Sequence, residues 1–440
     1  MQQTIILIRL KLILFRLKLI LFLLFLKVSF AQNSTASPYS LGGLGDITFK
    51  GNVINRMMGG VSVFSDSIHA NLNNPASLGE LKLTTFSVGI HYKNTQISSS
   101  DSRDNSRTGS LDYIAVSIPT KFFSFSFGVI PYSSVGYRLQ ANSLSQQDED
   151  IVSRFEGRGG TNKSFFTVGF KILKFVSLGG TVNYNFGKIT TQASNQNESI
   201  DYGTFLSNES SLSGLDYELG THFKFNISKK IIAESFFTYK PENFLNSRNK
   251  RVYFTRSLQN QNIGDVKEVD LASENLDLLK LRIGQSYKYG LSFSKDKKWF
   301  VGTQYSFAQS ENFKNDFINQ SNISYENANS LSFGGFVIPD YSSITDYWKR
   351  IVYRAGFRNE NTGINFDNNI LKEKVYSIGA SFPMGGYYSA NNVSGFSNLN
   401  VGFEFGTRGI NSESLIKESF WALRIGLSLN DLWFIKRKYN

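Results

Sequence analysis

Phe123-Ser124-Phe125-Ser126-Phe127-Gly128-Val129 is the stretch of sequence that decides the fold. Apolar residues alternate in it with small or polar ones, and successive side chains of a β-strand point to opposite faces. The stretch therefore predicts a strand with one apolar and one polar face. Units of roughly eight to eleven residues with the same alternation recur from about Thr84 onward, each followed by a break.

The recurrence of this unit predicts the number of strands. We expect fourteen, at 84–93, 111–118, 123–130, 164–172, 175–186, 216–226, 231–239, 286–294, 299–308, 330–337, 351–358, 375–382, 397–405 and 418–429. The breaks alternate between short turns and long polar stretches, and the long ones are 94–110, 131–163, 187–215, 240–285 and 309–329. Brief turns on one side and long loops on the other are typical of outer-membrane barrels. The predicted fold class is thus all-β, a transmembrane antiparallel β-barrel of about 14 strands.

Composition agrees with this fold class and excludes several functions. Hydrophobic residues make up 41%, charged residues 19% and aromatic residues 15% of the chain, which is rich in strand formers. There is no cysteine, so disulfides, thiolate metal sites and cysteine nucleophiles are excluded. The formal charge of +12 falls to 12 − 5 = +7 without the five basic residues of 1–31. We therefore expect no nucleic-acid partner.

The N-terminus has the features of an export signal. Basic residues from Arg9 to Lys18 precede the apolar run Leu19–Leu26, and Ala31 ends a small-residue cleavage site. We predict a signal peptide at 1–31, export by the Sec route and residence in the outer membrane of a Gram-negative bacterium. A membrane anchor is the alternative, but the apolar run is shorter than the ~20 residues that a spanning helix needs.

The alternation also separates lipid-facing from lumen-facing side chains. In the strand around Tyr217 the apolar residues face lipid and the polar ones face the lumen. Six polar side chains are predicted to face the lumen: Glu218, His222, Lys224, Arg354, Glu404 and Arg424. A barrel of this width exceeds the roughly eight strands whose side chains can fill the interior, so a separate segment must plug it.

Residues 32–81 do not alternate and are predicted to form that plug, leaving 82–440 as the barrel. The segment contains Gly42-Gly43-Leu44-Gly45-Asp46, Val63-Phe64-Ser65-Asp66 and Asn74-Pro75-Ala76. This layout resembles the N-terminal hatch of the FadL/TodX-like outer-membrane transport family, although Ser77-Leu78 replaces the usual Gly-Leu or Ala-Leu. The resemblance implies a fourteen-stranded barrel that hydrophobic compounds cross, with Asn74, Pro75 and Ala76 at the hatch.

Two further stretches carry the resemblance. Lys288–Phe293 and Trp299–Tyr305 are similar to the central hairpin of the family, and residues 430–440 resemble the C-terminus of members from Bacteroidota. Independently of any family, Asn74-Pro75 predicts a rigid bend, because asparagine bonds its local backbone and proline fixes φ. Direct contact of Asn74 with a ligand is the alternative.

The three histidines of the chain are the first candidates for a catalytic or metal site. His69 lies near Asp66 and Ser67, but proximity in sequence does not create a catalytic triad. His91 and His222 fall on different strands without a ligand pair at metal spacing. We therefore expect no catalytic residue, no metal and no cofactor. Leu271–Ile283 has apolar residues at helical spacing and predicts a short amphipathic helix in a long loop.

These sequence features leave two hypotheses for the function of a membrane barrel. A third hypothesis is that the protein is exported but soluble. The first is passive uptake of small hydrophobic compounds through a hatch-gated lumen, with outer-membrane lipids and a hydrophobic ligand as partners. The second is a non-transporting barrel subunit of a Bacteroidota outer-membrane complex, for secretion, gliding or barrel assembly. The polar long stretches favour the second because they offer little apolar capture surface.

Overall fold

The computed structural model describes residues 35–100, 102–144, 150–197, 200–228, 230–257, 259–260, 262–318, 322–384, 387–389, 392–394, 396–409 and 416–431. The predicted signal peptide at 1–31 and the end of the chain after Asp431 lie outside these residues.

The chain forms a closed antiparallel barrel of 14 strands, which confirms the predicted fold class. The barrel strands are β2 (Thr84–Ser98), β3 (Arg103–Pro119), β4 (Ser124–Leu144), β5 (Asp150–Leu173), β6 (Val176–Asn197), β7 (Tyr202–Asn226), β8 (Ile232–Lys240), β12 (Ser286–Lys295), β13 (Trp299–Ala308), β15 (Ala328–Val337), β16 (Val352–Phe366), β17 (Asn369–Met384), β20 (Phe396–Arg408) and β21 (Lys417–Asp431). Neighbours in the chain pair along the wall, and β2 pairs with β21 over fifteen residues to close it.

Smaller strands complete the sheet. They are β1 (Asp46–Ile47), β9 (Asn243–Ser257), β10 (Ile263–Glu268), β11 (Leu278–Ile283), β14 (Ile323–Tyr325), β18 (Tyr387–Ser389) and β19 (Asn392–Ser394). The upper half of β7 pairs with β9, and its lower half pairs with β8. Strands β8 and β9 therefore act as one long strand that is interrupted at Pro241-Glu242.

The position of the apolar belt on β7 shows how far the wall rises above the membrane. Leu215, Tyr217 and Leu219 point outward with 64, 53 and 56% of their surfaces exposed. Residues 202–214 continue the strand beyond this belt, by roughly 40 Å at 3.3 Å per residue. A membrane-spanning strand needs only about 9–11 residues. Strands β4–β7 and β9–β11 together form this extension, which we call the extracellular tower.

The tower corrects the prediction of long polar loops at 94–110, 131–163, 187–215 and 240–285. Most of these residues continue the strands on either side of them. Outside the membrane the outer face of a strand contacts water and does not have to be apolar. The alternation of apolar and polar residues is therefore weaker there and cannot be recognised in the sequence. The predicted helix at Leu271–Ile283 is also wrong, because Leu278–Ile283 is β11 and pairs with β9.

No helix among the described residues is long and apolar enough to cross a membrane.

Residues 35–83, which we call the luminal segment, lie against the inner face of the wall. The segment contains β1, a one-turn helix α1 (Val53–Arg56) and two 3-10 turns at Pro38–Leu41 and Pro75–Glu80. Asn52 caps α1 by accepting a hydrogen bond from the Asn55 N–H at 2.9 Å. The main apolar core is formed by the segment's own residues together with inward rings such as Phe300 and Phe236.

Glycines of the wall mark where the luminal segment docks. A Cβ atom on Gly334, Gly356 or Gly379 would lie about 2.1 Å from backbone or side-chain atoms of Met57, Met58 or Gly59. These three glycines lie on the adjacent strands β15, β16 and β17. A second glycine patch, made by Gly169, Gly179 and Gly220, meets the turn that begins at Pro75 in the same way. The wall is smooth at these two places because any side chain would exclude the segment.

Candidate functional site

The contacts between the luminal segment and the wall form the candidate site, and its upper part is a chain of ion pairs. Arg408 Nη2 lies 3.1 Å from Asp46 Oδ1 of the luminal segment and 2.5 Å from Glu373 Oε2 of the wall. The other oxygen of Glu373 accepts a hydrogen bond from Arg358 at 2.8 Å. Lys50 of the segment pairs with Glu360 on β16.

The same region shows how the wall is sealed beside β4. Strand β4 pairs with β3 through six residue pairs, Ile114–Pro119 with Ser124–Val129, and then departs from it. The space above is filled by the luminal segment, whose β1 pairs with Ser133 and Ser134 of β4. Gly136 N donates a hydrogen bond to Ser40 Oγ at 3.1 Å. The luminal segment thus supplies a short piece of wall where the barrel strands separate.

The central part of the site is a buried charge cluster around Glu404, which is 2% exposed. Glu404 accepts hydrogen bonds from Arg56 of α1 at 2.8 Å and from Arg424 of β21 at 2.5 Å. Arg424 also donates to Asp112 at 2.8 Å, and Asp112 contacts His91 Nδ1 at 2.7 Å. Each charge is matched by an opposite one, as buried charges must be.

The lower part brings Ser65 and Asn74 of the segment against β7 and β8. The Ser65 hydroxyl lies 3.2 Å from His222 Nε2 and also 3.2 Å from Glu234 Oε2. The Asn74 amide nitrogen lies 3.2 Å from His222 Nδ1, and Lys224 pairs with Glu234 at 3.0 Å. A carboxylate this close to the Ser65 hydroxyl would repel the oxyanion of an acyl-transfer reaction, so the geometry fits a docking contact better than a nucleophile.

Two acids of the luminal segment have lowered pKa values. Burial by itself would raise the pKa of Asp46, but the Arg408 guanidinium outweighs it and holds the pKa below its ordinary value. Burial likewise opposes the charge of Asp66, yet His69 at 2.5 Å and two backbone N–H donors lower its pKa overall. Both carboxylates are therefore charged at neutral pH.

The structure places the six sequence-predicted lumen residues in four different surroundings. Glu404 and Arg424 meet in the central cluster, and His222 and Lys224 meet through Glu234. The other two, Glu218 and Arg354, lie apart from these clusters.

Glu218 pairs with Lys288 at 3.2 Å. Arg354 has no carboxylate ion partner among the described residues, and its hydrogen bond runs to Ser381. Of the predicted hatch residues, Asn74 contacts His222, while Pro75 and Ala76 pack on the second glycine patch.

Sequence reasoning missed other members of the site. Glu373 and Arg408 have the inward parity of β17 and β20, but they lie just beyond the predicted strand ends. Extending the alternation by two residues before 375 and by three residues after 405 would have found both. Glu234 shares its inward face with the apolar Phe236, so the period of two did not mark it as polar-facing. Arg56 lies in the luminal segment, where no period exists.

Cavities lie on both sides of the luminal segment. The upper one, of about 220 Å³, lies between the segment and the tower, and includes Leu44, Phe313 and Ile364 in its wall. The lower one, of about 830 Å³, opens beside the short turn between β12 and β13. Buried segment residues separate the two.

The fold has solved relatives among outer-membrane channels. The toluene transporter TbuX of Ralstonia pickettii matches with a TM-score of 0.55 at 12% identity, over 87% of this chain and 99% of that one. A FadL homologue of Pseudomonas aeruginosa matches with 0.53 at 12%, over 86% and 98%. The monoaromatic hydrocarbon channel CymD matches with 0.52 at 12%, over 89% and 99%. These likenesses confirm the FadL/TodX-like barrel as the fold.

The similar structures are channels and transporters, not enzymes, and their fold is that of outer-membrane barrels. No curated protein sequence matches the chain. The family model BamG matches residues 13–440, nearly the whole length. The chain therefore belongs to the BamG family.

Proposed function

We propose that this protein is a non-conducting barrel subunit of an outer-membrane complex, and that the complex assembles other outer-membrane barrels. The observation that carries the proposal is the set of ion pairs that join the luminal segment to the wall. The name of the matching family, BamG, agrees with the barrel-assembly alternative that the sequence offered.

Opening the lumen would require several buried charges to separate at once. Asp46 and Arg56 each pair with a residue of β20, and Lys50 pairs with Glu360 of β16. The Arg56–Glu404 pair is buried, and the other two pairs are partly exposed. Removing one partner of a buried pair costs about 3–5 kcal/mol because the other charge stays buried and uncompensated. A channel that opens in thermal equilibrium would need to break all three pairs together. The arrangement suits a fixed plug better than a moving gate.

The extracellular tower supports a role in a complex. Its strand β7 continues for roughly 40 Å of strand length beyond the apolar belt, whereas about 9–11 residues are enough to span the membrane. Its interior is filled by an apolar cluster that includes Val135, Leu212 and Leu281, so the tower is a packed body and not a set of loops. Such a body offers a rigid surface on which other subunits can dock outside the membrane.

Passive uptake of small hydrophobic compounds is the second candidate. The observation that favours it is the upper cavity, which is walled in part by Leu44, Phe313 and Ile364. TbuX, which has the same fold, is described as a toluene transporter. In this case Asn74, Pro75 and Ala76 would form a movable hatch, and the ion pairs would break during each passage. Residues 1–31 would then be the Sec signal peptide of a Bacteroidota-type protein. Residues 32–81 would be the gate, and 82–440 would be the barrel whose lumen it closes.

The experiment that tests the first proposal combines isolation and depletion. A tagged chain is extracted from its native membrane in mild detergent and separated by size, and the levels of other outer-membrane barrels are measured after depletion of the protein. We expect a stoichiometric complex and reduced levels of several unrelated barrels. A chain that migrates alone, and whose depletion leaves other barrels unchanged, would refute the proposal.

The same preparation tests the second candidate. Reconstituted into planar bilayers and into liposomes, the protein should show no ion conductance and no acceleration of toluene exchange if the first proposal holds. Faster exchange of toluene than in protein-free liposomes would favour transport.

A further inference from the structure

We propose that the lower cavity is a binding site for a phosphate-bearing anion, with Arg354 as its central ligand. The proposal rests on the cavity and its charges and is independent of the proposed function. The cavity of about 830 Å³ lies within the size range of small-molecule sites. Its walls come from the luminal segment on one side, and on the other from β7, β8, β12, β15, β16, β17 and β20 with the connections that follow β12 and β15.

Arg354 is the observation that points to a ligand. It lines the cavity and is only 5% exposed, so its guanidinium group is buried. Nη1 donates to the Ser381 hydroxyl, whereas Nε has no hydrogen-bond partner among the described residues. No carboxylate lies within ion-pair distance of it in the described part of the chain, and Asp66 attracts it only from farther away. A buried, half-satisfied guanidinium group is costly unless an anion completes its hydrogen bonds.

The other charges of the cavity leave a surplus of positive charge. Four carboxylates line the cavity: Asp66 lies against His69, Glu80 pairs with Lys171, Glu234 pairs with Lys224, and Asp296 has no ion pair with a described residue. By contrast, five basic side chains that line the cavity have no ion pair with a described residue: Lys82, Lys295, Lys297, Arg350 and Arg354. Arg350 also has an Nε without a partner. The cavity therefore attracts anions.

The chemistry favours phosphate over carboxylate. A phosphate monoester carries up to two negative charges and three acceptor oxygens, and guanidinium forks match its geometry. Phe64, Phe336 and Ile338 line the same cavity, so an apolar portion of the ligand also has a surface to contact. The phosphate can come from the headgroup of a lipid of the periplasmic leaflet or from free phosphate, and an experiment can distinguish these sources.

The test measures binding to the purified full-length barrel in an uncharged maltoside detergent. The probes are short-chain dioctanoyl phosphatidic acid, dioctanoyl phosphatidylcholine and inorganic phosphate, with affinities from calorimetry and native mass spectrometry. We expect phosphatidic acid to bind more tightly than phosphatidylcholine. Arg354→Gln should weaken binding of phosphatidic acid by about tenfold or more, since a charge-assisted hydrogen bond contributes that much.

Two further variants support the interpretation of this test, one at the cavity and one as a control far from it. Arg350→Gln lies at a partly exposed turn and should fold normally, so a smaller weakening there supports the site even if Arg354→Gln unfolds. Lys250→Gln removes a basic charge from the tower and should leave binding unchanged. If inorganic phosphate binds as tightly as phosphatidic acid, the ligand is free phosphate; if only the lipid binds, it is the headgroup. Equal binding of both lipids, unchanged binding by the two arginine variants, or no binding at all would overturn the proposal.

Discussion

Replacing Glu404 with glutamine should loosen the luminal segment from the wall. Glu404 is the shared acceptor of Arg56 and Arg424, and it is 2% exposed. After the replacement Arg424 keeps Asp112, but Arg56 loses its carboxylate and keeps its hydrogen bond to the Thr48 carbonyl. One buried positive charge is then uncompensated, at a cost of about 3–5 kcal/mol.

That cost should appear first in local opening of the luminal segment. A loss of about 3 kcal/mol corresponds to a rise of roughly 100-fold in the population of the opened state. Hydrogen exchange of the amides from Val53 to Gly60, read by mass spectrometry in detergent, measures this change directly. Bilayer recordings of the same variant would show whether the opened state conducts ions.

A matched control and a double replacement separate the central cluster from general effects. Glu156→Gln breaks the exposed pair with Arg138 and should change stability by less than about 1 kcal/mol. Replacing Arg56 and Glu404 together by Met and Leu removes both charges and should restore much of the protection, as apolar residues often substitute for a buried pair. Unchanged exchange in Glu404→Gln, or a double variant that is looser than the single one, would refute the reasoning.

Three further changes test other parts of the structure. In Gly356→Val the new Cβ would lie about 2.1 Å from the Gly59 backbone. This overpacking should cost about 1–3 kcal/mol and raise proteolysis of the luminal segment. The control Gly180→Ala meets no atom nearer than 3.5 Å and should change neither stability nor proteolysis. The pKa of Asp66 is lowered from 3.8, so its stabilising effect is present above pH 3.8 and is lost as pH falls through the lower pKa of the folded state. The difference in melting temperature between wild type and Asp66→Asn should therefore shrink as pH falls from about 4 towards about 2, and a constant difference over that range would contradict the assignment. The chain has no cysteine, so an introduced cysteine is its single thiol. Thr204→Cys in the tower should react with an impermeant maleimide on intact cells, whereas Thr120→Cys in a short turn should react only after the outer membrane is permeabilised. The reverse pattern would show that the barrel has the opposite orientation in the membrane.

The membrane-spanning part of the barrel could be predicted because lipid imposes a readable pattern. All fourteen predicted strands overlap the fourteen barrel strands, and Tyr217 and Leu219 point outward while His222 points inward as the period of two requires. Hydrocarbon accepts only apolar side chains on the outer face, and the inner face carries many polar or small residues, so the alternation is readable in most of the spans.

The tower and the docking of the luminal segment were decided by tertiary structure. Residues 202–214 are a strand with water outside, where polar and apolar side chains are both tolerated, so their period cannot be read from the sequence. The three glycines at 334, 356 and 379 look like ordinary strand glycines until α1 is placed against them. Similarly, Arg56 and Glu404 are 348 positions apart, and only the closed barrel brings their opposite charges together in a low-dielectric interior where each needs the other.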